Sequence, residues 1–183
     1  MTKHEENAMK IAIIGHSGSG KSTLARKLSE KYDLPVLHFD AVQFRPGWEI
    51  RPQASKEIMT KVFLDLHNSW VIDGNYSKLS YVRRMEEADV IVVMLFNRWR
   101  CLWRVTKRYL KYKNKTRPDM GPGCKEKLDW EFVKWILRDG RSKSARERYG
   151  WVCSQYADKV IVVKNQRQLN AVEANIERIL KKK

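Results

Sequence analysis

The run Gly15-His16-Ser17-Gly18-Ser19-Gly20-Lys21-Ser22 meets every fixed position of G-x-x-x-x-G-K-[ST], and no other feature of the chain constrains its fold as tightly. Lys10–Ile14 (KIAII) precedes it as a short β-branched run, which reads as a buried strand. Leu24, Leu28 and Tyr32 follow at helical spacing, so a helix starts inside the motif. A strand, a glycine turn and a helix in this order build a phosphate cradle. The glycines let successive N–H groups turn inward, and the helix adds its positive end and unpaired amides. Lys21 is placed to reach β- and γ-phosphates, the Ser22 hydroxyl to ligate Mg²⁺, and Thr23 to stand near the α-phosphate. Gly15, His16, Ser17, Gly18, Ser19 and Gly20 complete a nucleotide-binding loop for a purine nucleoside triphosphate, with the His16 side chain expected to face solvent.

The rest of the chain alternates strands and helices. Strands are expected at Pro35–Phe39 (ending at Asp40), Trp70–Ile72 (ending at Asp73), Val90–Phe96 and Val160–Val163. Helices are expected at Gln53–His67, Leu79–Glu87, Asn97–Tyr112, Lys125–Leu137 and Gln166–Lys183, with Ile58, Val62 and Leu66 on one face of the first. This order predicts a single α/β domain: a three-layer sandwich whose five-stranded parallel sheet carries helices on both faces. An apolar strand would deliver Asp73 to the sheet edge where the loop sits, as a second group for the metal. Asp40 sits equivalently and is placed to accept a proton from an acceptor hydroxyl. Arg45, Trp48 and Arg51 are candidates for the acceptor pocket.

Charge is concentrated. The net charge is +16, and residues 98–148 hold 17 basic against 6 acidic side chains. An anionic partner follows, either phosphorylated small molecules or nucleic acid. Arg100, Arg104, Lys107, Arg108 and Lys111 recur at three- and four-residue spacing as one cationic stripe. Trp99, Leu102, Trp103, Thr106, Tyr109 and Leu110 are expected to pack on the opposite side. Lys113–Gly123 reads as a mobile connection to a second basic helix followed by Arg138, Arg141, Arg146 and Arg148. Two basic helices joined by a loop describe a lid, at about 98–148, that closes over phosphates. No segment approaches the roughly 20 apolar residues of a membrane span. Cys101, Cys124 and Cys153 suggest neither a disulfide framework nor a zinc site, and a cytoplasmic chain is expected.

Lys10–Thr23 (KIAIIGHSGSGKST), Trp70–Tyr76 (WVIDGNY), Arg98–Arg108 (RWRCLWRVTKR) and Thr116–Trp135 together resemble the bacterial DNA topology modulation, or FlaR-like, proteins, which are related to adenylate kinases. The likeness runs from about Met9 to Val163 and leaves 1–8 as an N-terminal extension. It implies ATP and Mg²⁺, with Asp73 holding the metal through water and Arg100, Arg104 and Arg108 opening the lid. Arg141, with Arg138, would close it. Where adenylate kinases continue Asp-Gly with Phe-Pro-Arg, this chain has Asn75-Tyr76-Ser77, so the acceptor-gripping arginine is missing, and Arg83 or Arg84 is the candidate replacement. The leading expectation is a small-molecule kinase that passes the γ-phosphate of ATP to a nucleotide, nucleoside or other small acceptor. The competing one is a nucleotide-binding regulator that modulates DNA topology by associating with nucleic acid. Against the latter, no helix-turn-helix, zinc-finger or RNA-binding aromatic signature is present.

Overall fold

A computed structural model describes residues 8–180. The expected extension (apart from Ala8) and the last three residues of the expected C-terminal helix lie outside them. Five strands, β1 (Lys10–Gly15), β2 (Val36–His38), β3 (Trp70–Asp73), β4 (Val90–Met94) and β5 (Val160–Val163), form one parallel sheet in the order β2-β3-β1-β4-β5. The helices are α1 (Lys21–Tyr32), α2 (Phe39–Gln43), α3 (Gln53–Leu66), α4 (Tyr81–Glu87), α5 (Arg98–Tyr112), α6 (Trp130–Leu137), α7 (Lys143–Gln155) and α8 (Gln166–Leu180).

Strand alternation divides the core between two faces. Ile11, Ile13, Val71, Val90, Val92 and Met94 point to α1, α5, α6 and α8, where Leu24, Leu28, Val105, Ile136, Val172 and Ile176 meet them. Ala12, Ile14, Trp70, Ile72, Ile91 and Val93 point to α2, α3, α4 and α7, where Phe39, Leu64, Met85 and Val152 close the other side. Both faces of β1 and β4 are therefore buried, which is why their sequences are apolar without interruption. Because β1 is flanked by β3 and β4 while the chain passes from β1 to the edge strand β2, a crevice opens at the C-terminal ends of β1 and β3.

Several expectations are corrected. The second strand stops at His38, and Asp40 lies in the first turn of α2 instead of at a strand end. The helix expected from Lys125 starts at Trp130, because the Asp129 carboxylate accepts from the Phe132 N–H and caps it there. The residues before it pair instead through isolated bridges, Lys113 with Glu126 and Thr116 with Lys125. The Lys113–Gly123 connection is thus tied down rather than loose. Helix α7 was not expected at all.

Two helices turn their apolar faces differently from expectation. On α3 the buried residues are Lys56, Thr60 and Leu64, whereas Ile58, Val62 and Leu66 are exposed. On α5, Trp99 and Trp103 are 64% and 61% exposed, and the packing is done by Cys101 and Val105, with Leu102, as expected, partly buried against the same core. The Lys107 ammonium lies over the Trp103 ring at 4.4 Å.

Candidate functional site

The loop from β1 to α1 lies at the head of a cleft of about 1060 Å³. Ser17, Gly18, Gly20, Lys21, Ser22 and Thr23 line it, and Gly15, His16 and Ser19 are buried beneath. Gly18 (φ 76°) and Gly20 (φ 96°) hold the left-handed backbone that turns the loop inward. A Cβ on Gly18 would stand 2.8 Å from the Cys101 carbonyl oxygen and from Val105 Cγ2, so α5 presses directly on the loop. The first-turn N–H groups of α1, which no helix satisfies internally, are those the cradle offers to phosphate. Lys21 Nζ donates to the His16 carbonyl at 3.1 Å, and burial pulls its pKa below the usual lysine range, against the pull of Asp73 and Asp40.

His16 departs from expectation: its side chain is 9% exposed and stands edge-on to Tyr149 at 5.5 Å between ring centroids. Burial, then the charges of Arg141 and Lys21, push its pKa down to about 4. The folded state thus holds a neutral imidazole that the unfolded chain would protonate first. Stability contributed by His16 is present above pH 6.5 and is lost as pH falls toward 4. His16→Phe is expected to flatten this acid-side loss in urea midpoints taken across that range. Coincident profiles for the two proteins would contradict the assignment.

Below the loop, Ser22 Oγ donates to Asp73 Oδ2 at 2.7 Å. Asp73 is 4% exposed and ends β3, while its other oxygen, Oδ1, is hydrogen-bonded to His38 Nδ1. Parallel register sets His38 beside Asp73 on adjacent strands, which gives both side chains the same face. Burial opposes protonation of His38, but its bond to Asp73 and the nearby Asp119 and Asp40 raise its pKa overall. Two hard oxygens meeting at the foot of a phosphate cradle fit Mg²⁺, which binds through one or two protein ligands plus phosphates and water. No cluster of three or more His, Cys, Asp or Glu side chains able to hold a metal occurs among the described residues.

Asn75, a sequence candidate for the acceptor pocket, lines the cleft and is also tied to the loop. Its Oδ1 accepts from the Gly15 N–H at 2.9 Å and its Nδ2 donates to the Gly15 carbonyl at 2.6 Å. Asn75→Ala leaves both buried groups of Gly15 without these partners, and a loss of about 2 kcal/mol is expected in urea unfolding. A loss well under half of that would show that water replaces the amide.

The cationic stripe divides in two. Arg104 Nη1 donates to the Ser19 carbonyl at 2.5 Å and Nη2 to Gln166 Oε1 at 2.6 Å, with the guanidinium over Phe96. Arg108 pairs with Glu126 at 2.8 Å, and both arginines line the cleft. Arg100, Lys107 and Lys111 are exposed and do not line it. Arg141 does not reach the cleft either, because it donates to the Ile136 and Phe96 carbonyls and to Cys101 Sγ. The arginine after α6 that does line the cleft is Arg148, which donates to the Asn75 carbonyl at 3.4 Å. From α6, Trp135 Nε1 donates to Ser17 Oγ at 3.1 Å, so this helix reaches over the loop.

Asp40, Gln43, Phe44, Trp48 and Lys56 also line the cleft. Asp40 accepts from the Tyr76 hydroxyl at 2.9 Å and pairs with Arg117 Nη2 at 3.3 Å. Arg117, buried, also pairs with Asp119 and Glu126, so one guanidinium joins the α5–α6 connection to the Asp40 helix. The other arginine candidates are engaged elsewhere. Arg45 pairs with Glu49, Arg51 Nε donates to the Val42 carbonyl, and Arg83 pairs with Asp65 and Glu87. Arg84 is fully buried on backbone carbonyls. None of these four lines the cleft. His38, Tyr76, Arg117 and Lys56 were not singled out from the sequence. His38 was signalled only by standing two residues before Asp40, and Arg117 only by falling within Thr116–Trp135.

No protein-family model matches the chain, and no curated protein matches it. Among solved structures it is similar to the shikimate kinase from Acinetobacter baumannii in complex with shikimate, with a TM-score of 0.59, 16% identity, and coverage of 97% of this chain and 96% of that one. It is also similar to an uncharacterized protein from Eubacterium ventriosum, with a TM-score of 0.51, 16% identity, and coverage of 94% and 98%. At such identity the likeness speaks for the fold. Together with the five-stranded parallel sheet and the loop between β1 and α1, it establishes a P-loop fold of the nucleoside-monophosphate-kinase kind.

Proposed function

We propose that the chain is an ATP-dependent kinase, of the adenylate-kinase-related FlaR-like group its motifs resemble, that transfers the γ-phosphate to a small acceptor. The observation that carries this reading is that one cleft is lined by Lys21, by the hydrogen-bonded Ser22–Asp73 pair and by Asp40. Lys21 and the first turn of α1 bind the phosphates. Magnesium, held by Ser22 and through water by Asp73, would offset phosphate charge when bound. Arg104 and Arg108, presented by α5, stand where charge develops during transfer. Residues 98–148 act as the lid, with Trp135 over Ser17 and Arg117 tying the connection to the acceptor side. Asp40 orients the acceptor and takes its proton.

The test is transfer from γ-labelled ATP to a panel of nucleotides, nucleosides, sugars and hydroxy acids. Label is expected on an acceptor. ATP binding with no labelled acceptor, or release of phosphate alone, would count against a kinase.

Association with nucleic acid has one observation in its favour: Trp99 and Trp103 are exposed beside Arg100 and Lys107 on α5. That reading requires duplex binding that keeps a sequence preference near physiological salt. Binding that vanishes as salt rises, with no preference, would be charge attraction only.

A further inference from the structure

Lys56 is the one cation of the acceptor side whose environment calls for an anion. It sits on the inward face of α3, 7% exposed, and lines the cleft. Among the described residues its ammonium forms no ion pair, and the Gln43 side-chain oxygen at 2.9 Å is its only side-chain partner. A buried ammonium is costly unless a counter-charge meets it. The other buried charged side chains that line the cleft are answered: Asp73 by His38, and Arg117 by Asp40, Asp119 and Glu126.

Asp40 points to the second half of the ligand. Each of its oxygens has a single partner, the Tyr76 hydroxyl on Oδ1 and Arg117 on Oδ2. A carboxylate offers about four lone-pair sites, so it can still accept one more hydrogen. It would repel an anionic nucleophile and receive a hydroxyl. Asp40 and Gln43 are three residues apart on α2, hence on one face and one turn apart. Lys56, bonded to Gln43, and Asp40 are thereby presented to the same stretch of the cleft.

We propose that the acceptor is a small hydroxy compound bearing a carboxylate or phosphate group, with the anion on Lys56 and the reacting hydroxyl on Asp40. The proposal rests on the kinase reading. The hydroxyl oxygen bonds to the γ-phosphorus as the bond from that phosphorus to the β,γ-bridging oxygen breaks. ADP leaves with the electron pair, and the hydroxyl proton passes to Asp40.

A matched trio tests it: glycerol, glycerate and glycerol 3-phosphate, titrated calorimetrically with a nonhydrolysable ATP analogue present and assayed for phosphorylation with ATP. At least one anionic member is expected to bind more tightly than glycerol, and which one does so separates carboxylate from phosphate. Lys56→Met is expected to weaken that binding about 10- to 100-fold, the size of one charge-assisted hydrogen bond. In turnover the loss should fall on the acceptor KM, with the KM for ATP unchanged, and Lys56→Arg should restore much of it. Thermal melting of both variants reports folding separately, and Lys56→Met should melt no lower than the parent, since the replacement removes an unanswered charge. Equal affinity for glycerol, no anion binding, or anion binding indifferent to Lys56→Met overturns the anion site. Lys56-dependent anion binding without phosphorylation of any acceptor would keep this site and overturn the kinase.

Discussion

Lys21→Ala is expected to lower γ-phosphate transfer by about a thousandfold while leaving the chain folded. The loop amides hold phosphate oxygens by hydrogen bonds, but Lys21 is the cation that the loop itself supplies, with Nζ only 3.1 Å from the His16 carbonyl at the mouth of the cradle. Removing a preorganised group that meets developing charge costs about 10²–10³ in rate. Arg104 and Arg108 already serve the same transfer from α5, each with part of its guanidinium held by Ser19 and Gln166 or by Glu126, so neither is free to take the place of Lys21. Folding should be indifferent: burial already disfavours the charged form of Lys21, and its single hydrogen bond is to a carbonyl. Initial rates with the acceptor found in the panel, alongside thermal melting, decide the matter. A turnover within tenfold of the parent would remove Lys21 from the transferring phosphate and with it the proposed mechanism.

The parts of this site legible in the sequence are those fixed by local rules. The loop from Gly15 to Ser22 has its glycines where left-handed backbone is required and its strand and helix as immediate neighbours. Asp73 was legible because three apolar residues deliver it to a strand end. The remainder depends on register and on which way a helix faces. His38 meets Asp73 only because β2 and β3 pair in a register that aligns residues 35 apart. Arg117 gathers Asp40, Asp119 and Glu126 only after the Thr116–Lys125 bridge folds the connection back.

Periodicity has a specific limit here. It groups residues on a helix face without saying which face is buried. On α5 the arginines at four-residue spacing were read as one stripe, yet the contact of Gly18 with Cys101 and Val105 sets the rotation, so Arg104 and Arg108 face the cleft and Arg100 faces water. On α3 the apolar row of Ile58, Val62 and Leu66 faces outward, and the inward row carries Lys56. The absence of an arginine after Asp73-Gly74 was legible, but its structural meaning was not. Asn75 clamps Gly15, Tyr76 holds Asp40, and Arg84 lies beneath both.

Arg84→Met is expected to cost about 3 kcal/mol of stability and to weaken catalysis along with it. Arg84 is 0% exposed and donates to the carbonyls of Leu79, Gly74 and Tyr76 at 2.9, 3.4 and 2.9 Å. Its guanidinium lies 4.3 Å from the Phe39 ring centroid and 5.1 Å from that of Tyr81. Burial, countered by Tyr81 and Asp73, lowers its pKa to about 9, so it remains charged near neutrality with no carboxylate bonded to it. Methionine keeps much of the apolar volume and removes every donor. Each carbonyl left unpaired costs about 1–3 kcal/mol, and relief from burying a charge returns part of that sum. For a chain of this length such a loss corresponds to roughly 10 °C in melting temperature. Since the freed carbonyls flank Asn75 and belong to Tyr76, the loop that holds both Gly15 and Asp40 should loosen, and kcat should fall at temperatures where the variant is still folded. A loss under about 1 kcal/mol in urea unfolding, or normal kcat in a destabilised variant, would show that Arg84 fills space beneath the loop without setting its shape.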